Sequence, residues 1–128
     1  MTAPSSSLGA FSVSLAVADL ALSKAFYAKL GFAPVDGIGG DGWAILRNGT
    51  TTIGLFQGMF ERNLLTFNPG WDATCNPLGE FSDVRELQKQ LKADGLIPDT
   101  EVDEATTGPG SLMLTDPDGN PILLDQHV

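Results

Sequence analysis

DLALSKAFYAKLG, residues 19–31, runs into Phe32-Ala33-Pro34, and DVRELQKQLKADG, residues 83–95, runs into Leu96-Ile97-Pro98. Each stretch has twelve steps from Asp to Gly and three more to Pro. The second copy lies 64 positions after the first in a chain of 128. Asp is a good N-cap because its carboxylate accepts from the orphan N–H groups of a first helical turn. Gly ends a helix by taking a left-handed conformation. A capped helix followed by an extended segment is thus written twice, and a twofold internal duplication is the organising expectation.

Working outward, Phe11-Ser12-Val13-Ser14-Leu15-Ala16-Val17 alternates large and small residues, the period of a half-buried strand. In the first helix Leu22, Phe26, Tyr27 and Leu30 fall on one expected buried face. Phe32 to Val35 is a predicted strand, and Gly37 to Gly42 a flexible connection. Trp43 to Leu46 and Thr51 to Phe56 flank Asn48-Gly49, a hairpin signal. In the second half Leu64 to Phe67 is a predicted strand and Pro69 to Glu80 a long loop. The next helix turns Val84, Leu87 and Leu91 inward and carries Lys89 and Lys92 toward its C-terminal end, where cations suit the dipole. Ile97–Val102, Ser111–Leu114 and Pro121–Asp125 complete the strands, the last two joined at Asp118-Gly119. Both halves read β-α-β-β-β. The expected organisation is a tail over 1–10 and one domain over 11–128, with modules at about 11–58 and 63–127.

Bulk properties narrow the function classes. Seven basic and sixteen acidic residues give a net charge of −9, which repels phosphate backbones and anionic lipid and argues against nucleic-acid or membrane partners. No apolar run reaches the roughly 20 residues of a membrane span. The first seven residues lack the basic and apolar regions of a secretion signal, so cytoplasmic residence is expected. Cys75 is the single cysteine. It excludes an internal disulfide, and its neighbours offer nothing to make a thiolate.

The layout and two local strings resemble the vicinal oxygen chelate superfamily of glyoxalase I, extradiol dioxygenases and bleomycin- and fosfomycin-resistance proteins. The first string is Val17-Ala18-Asp19-Leu20 with Ser23, Phe26-Tyr27 and Leu30-Gly31-Phe32. The second is Asp116-Pro117-Asp118-Gly119-Asn120 with Ile122. The match covers about Phe11 to Gln126. The resemblance implies an α+β fold in which two βαβββ modules form a curved open-barrel cup, and it implies a homodimer.

Enzymes of that superfamily hold a divalent metal with His, Gln and Glu side chains. Carried over by position, the resemblance puts Ser12, Gly54, Leu123 and either Asn63 or Leu64 at those places. That set lacks carboxylate and imidazole and does not suit a catalytic divalent ion. The only histidine, His127, is expected to be solvated. No metal and no cofactor are therefore expected, and no catalytic residues stand out: Asp125, Glu61 and Tyr27 form no constellation.

A cup without metal can still bind an apolar molecule. Ser12, Ser14 and Ala16 make one strand face small, Gly54 leaves room, and Phe56 shares its face. Trp43, Phe60, Trp71 and Phe67 are aromatic candidates for its mouth, and the loop at 69–80 has the length of a lid or interface. Arg62 and Arg47 are the cations suited to a ligand carboxylate. The expected ligand-binding set is Ser12, Ser14, Trp43, Gly54, Phe56, Arg62, Asn63, Trp71, Leu123 and Asp125. The leading expectation is a metal-independent binder of a small hydrophobic or aromatic molecule, in the manner of bleomycin-resistance proteins. The alternatives are a divergent lyase or dioxygenase-type enzyme and a structural or regulatory dimer with a filled cup.

Overall fold

The computed structural model describes residues 7–128, with seven strands and two helices among them. The chain divides into two units, one comprising Ser12–Leu64 and the other Leu65–Val128 together with residues 7–11. The N-terminal segment thus belongs with the second half. Ala10 is buried and Leu8 packs against that half's core; residues 1–6 of the expected tail lie outside the described residues.

The Ser12–Leu64 unit contains β1 (Ala10–Val17, from Ser12), α1 (Leu20–Lys29), β2 (Ala33–Gly40), β3 (Trp43–Asn48) and β4 (Thr51–Gln57). Its sheet runs β2-β3-β4-β1, antiparallel except for the parallel pair β1/β4. The expected β-α-β-β-β order holds. Residues 37–40 of the expected connection are part of β2, with a register shift between Pro34 and Gly39, and only Asp41-Gly42 remain as the turn. Gly49 follows Asn48, which pairs with Thr51 across the turn.

The second unit contains β5 (Leu64–Asn68, from Leu65), α2 (Val84–Ala93), β6 (Gly110–Thr115) and β7 (Pro121–Gln126), with sheet order β5-β7-β6 and β5/β7 parallel. The expected strand at Ile97–Val102 is absent as an element. Its one bridge joins Thr100 to Met113. The cause is a side chain. Gln88 accepts from the Val102 N–H at 2.8 Å and donates to the Val102 carbonyl at 3.0 Å. Its amide thereby takes both groups that a ladder would use.

Both helices end as the duplication demands. Asp19 and Asp83 accept from Leu22 N–H at 3.1 Å and Arg85 N–H at 2.9 Å. Gly31 and Gly95 stand at φ +94° and +90°, and the Phe32 and Leu96 N–H groups reach back to the carbonyls of Tyr27 and Leu91. That is the same Schellman closure in both copies.

Packing separates the two helices. On α2, Val84 and Leu87 are buried against Leu112 and Leu124, with Leu91 joining them, as expected. Each fully buried leucine contributes about 1.5–3 kcal/mol. On α1 the inward residues are Leu20 and Tyr27, seven apart, over Leu46 and Leu55. Leu22, Phe26 and Leu30 are 70%, 59% and 57% exposed, which corrects the expected buried face. The apolar residues of α1 occupy two sides, and one sheet covers only one of them.

A polar network anchors the start of α2. Gln126 is buried, accepts from Val84 N–H at 2.7 Å and donates to Asp83, Gly108 and Val128. Arg85, also buried, pairs with Asp83 at 3.0 Å and donates to Thr106. Burial works to raise the Asp83 pKa, but hydrogen bonds from Arg85 and Gln126 and the guanidinium charge outweigh it and hold the carboxyl below its ordinary range.

Candidate functional site

Strand register decides which side chains share a face. In the Ser12–Leu64 unit Ser14 stands beside Gly54, Ala16 beside Phe56, Gly54 beside Ile45 and Phe56 beside Trp43. Leu15, Ile53, Leu46 and Leu55 point the other way, toward α1. Five expected site residues, Ser12, Ser14, Trp43, Gly54 and Phe56, therefore lie on the sheet face turned away from the helix. Arg47, paired with Thr52, lies there too and directs Nε at the Thr52 hydroxyl at 3.4 Å.

That face is aromatic. The Trp43 and Phe56 rings are parallel within 6° at 5.7 Å between centroids, and Phe60 adds a tilted ring 5.2 Å from Phe56. The expected room at Gly54 is not open, because its own strand neighbour takes it. A Cβ there would come within 2.5 Å of Phe56 Cε2 and 3.2 Å of Ile45 Cδ1. Gly40 likewise admits the Trp43 indole, whose Nε1 lies 2.7 Å from where a Cβ would stand. Ser12 and Ser14 are only 7% and 4% exposed. The small residues thus make a floor under an aromatic strip (Trp43, Phe56, Phe60), with the rings as its surface.

Arg62 and Asn63 do not join this face. Asn63 Oδ1 accepts from the Ala16 N–H at 3.0 Å, a tie from the chain after β4 to β1. Arg62 is exposed on the same connection.

In the second unit Leu123 stands beside Thr66 and Met113, and Asp125 beside Ser111, on the sheet face away from α2. Phe67 turns to the opposite face, into the core, and packs on Phe11 at 5.0 Å. The residue that joins Trp71 to Asp125 is His127. Its Nε2 lies 3.0 Å from Asp125 Oδ2, and its ring stacks on Trp71 at 4.5 Å and 22°. The histidine is exposed, as expected, but it is held by these two partners. The hydrogen bond with Asp125 raises the His127 pKa, and partial burial opposes it. The pairing therefore favours the protonated imidazolium. The signal was present in the sequence as period-2 spacing from Asp125, two positions earlier.

The loop after Pro69 closes on itself. Leu78 N–H donates to Gly70 O at 2.7 Å, and Asp72 Oδ1 accepts from Thr74 and Asn76 N–H. The Asn76 backbone donor is the main cause holding the Asp72 carboxyl below its ordinary range. Cys75 sits in this loop at φ +64°.

The metal question is one of donor chemistry. Ser12 offers a hydroxyl, Gly54 and Leu123 no side-chain donor, Asn63 an amide oxygen already bonded to Ala16, and Leu64 none. These do not fit a divalent ion. No group of three or more His, Cys, Asp or Glu able to hold a metal occurs among the described residues. No helix among them is long and apolar enough to cross a membrane.

A family model described as Glyoxalase/Bleomycin resistance protein/Dioxygenase superfamily matches residues 9–124. Among solved structures, NAD-dependent benzaldehyde dehydrogenase from Legionella pneumophila is similar at TM-score 0.68 and 17% identity, over 92% of this chain and 99% of its own. Methylmalonyl-CoA epimerase from Mycobacterium tuberculosis is similar at TM-score 0.64 and 19% identity, over 100% of this chain and 93% of its own. A glyoxalase/bleomycin resistance protein/dioxygenase superfamily member from Vibrio splendidus 12B01 is similar at TM-score 0.60 and 16% identity, over 91% and 97%. A comparison with curated proteins finds no match. At these identities the likeness establishes the α+β fold and nothing of the chemistry.

Proposed function

Because the chain belongs to the glyoxalase/bleomycin resistance protein/dioxygenase superfamily, whose one scaffold hosts many chemistries, we propose that it is a cytoplasmic, metal-independent binder of a small hydrophobic or aromatic molecule, acting as a homodimer. The observation that carries this reading is the parallel Trp43–Phe56 stack, extended by Phe60, on the helix-free face of its sheet. Stacked rings offer a flat apolar surface that another planar molecule extends, worth about 0.5–1.5 kcal/mol per ring pair beyond buried area. Arg47, on the same face, is the cation suited to a ligand carboxylate. The donor set at the superfamily's metal positions supports binding without an ion.

The test uses the two tryptophans. In a Trp71→Phe variant Trp43 is the sole indole, and an aromatic carboxylate that binds on the strip quenches its emission in the presence of EDTA. Quenching confined to Trp71, seen only in a Trp43→Phe variant, would contradict the site.

One observation favours a second reading. Phe56 already fills the space over Gly54, and Ser12 and Ser14 are buried. That is what a structural or regulatory dimer with a self-filled face would show, and such a protein gives no quenching with any ligand, with or without metal.

A further inference from the structure

We propose that the outer side of α1 is a self-complementary docking surface for a second copy of this chain, with the two α1 helices packed antiparallel. This deepens the homodimer part of the reading above and is independent of what the aromatic strip binds. Leu22, Phe26 and Leu30 lie at i, i+4 and i+8 and are each more than half exposed. They make an apolar stripe on a helix whose other side already faces its own core through Leu20 and Tyr27. Three large apolar side chains in a row at this exposure mark an interaction site more than a solvated surface.

The charges on the stripe identify the occupant. Asp19 stands at its N-terminal end and Lys29 at its C-terminal end, ten residues apart. Lys29 has no ion-pair partner among the described residues. Asp19 uses Oδ1 to cap Leu22 N–H, and its other oxygen takes no hydrogen bond among the described residues. An antiparallel twofold pairing that puts Asp19 opposite the partner's Lys29 also puts Leu22 opposite the partner's Phe26, since both pairs of numbers sum to 48. The same patch then serves both copies, as an isologous interface requires. Ala25, beside Phe26, is small enough for the axes to approach to about 8–10 Å. A partner of uniform charge would satisfy one end of the stripe and repel the other; an inverted copy satisfies both.

A ten-residue helix is about 15 Å long, so this contact alone falls near or below the roughly 1,000 Å² of a stable interface. The association is therefore concentration-dependent. Sedimentation velocity on the full chain across a wide concentration range reads it directly. The expected result is a monomer–dimer equilibrium weakened at least tenfold by Phe26→Glu and by Leu22→Gln. Asp19→Asn, which keeps the cap, and Lys29→Gln each weaken it severalfold and flatten its salt dependence, and the double variant weakens it no further. Thermal melts of the Phe26 and Leu22 variants stay close to the parent, because both side chains are already exposed. A dimer that persists in Phe26→Glu overturns this surface while leaving a homodimer through another face. A monomer at every concentration overturns both the surface and the homodimer, and leaves ligand binding untouched. Loss of folding in both variants would show these residues to be core, which also overturns the proposal.

Discussion

Asp125 lies on the face of β7 that α2 does not cover, and His127, two positions on, follows directly after the strand ends at Gln126. That spacing is why a histidine at the edge of the chain acquires a carboxylate partner 3.0 Å away and an indole beneath its ring. The hydrogen bond favours imidazolium, so the folded-state pKa lies above the ordinary histidine value. The sign follows from linkage. A pKa raised on folding adds stability that is fully present below the unfolded value, near 6.5, and is lost as pH rises through the folded value. His127 is the only histidine, so a proton NMR titration reads it without ambiguity. The midpoint is expected above that of the urea-unfolded chain, and Asp125→Asn is expected to bring the two together. A midpoint at or below the unfolded value would show that the pair does not form in solution.

At the scale of the element, the duplication was legible because its signals are local. An Asp cap and a Gly terminator act within one turn of chain, and the two copies close identically. They differ in one respect that yields a prediction. At Gly95 a Cβ meets nothing within 4 Å, whereas at Gly31 it comes within 2.9 Å of Asn48 Nδ2, which donates to the Leu30 carbonyl. Gly95→Ala costs only the left-handed conformation, about 1 kcal/mol. Gly31→Ala adds the displaced Asn48 hydrogen bond, about another 1 kcal/mol. Urea unfolding should therefore rank Gly31→Ala as the more damaging by about 1 kcal/mol, and equal losses would remove Asn48 from the helix stop. What the sequence hid was long-range. The extended segment at 97–102 has strand character, but Gln88, fourteen residues before Val102, captures its backbone pair. The apolar residues of α1 suggested a single buried face, yet which side is covered depends on where the sheet lies, and that is not a property of the helix.

Across the whole molecule, the family and the α+β fold were readable from two spaced strings, because the scaffold's turns and caps tolerate few alternatives. The candidate site was readable in part. Alternation on β1 and β4 placed Ser12, Ser14, Gly54 and Phe56 on one face, and the register adds Trp43 and Ile45. What composition concealed was that the glycines are occupied: Gly54 and Gly40 admit rings of this chain, so the face is an aromatic surface where a void was expected. Nor did the list of aromatic residues show that Phe67 is core while Trp71 meets His127.

An apolar aromatic surface that binds without an ion is the centre of the proposed function. The most direct test is thermal denaturation of the full chain with a panel of hydrophobic and aromatic carboxylates, each in EDTA and again with Ni, Mn, Fe or Zn. A ligand at about 100 times its Kd stabilises by about 2.7 kcal/mol, which for a domain of this size is a shift of several degrees. At least one compound is expected to raise Tm equally in EDTA and in metal, and Trp43→Leu is expected to abolish the shift. A rise that appears only with added metal would contradict the proposed function.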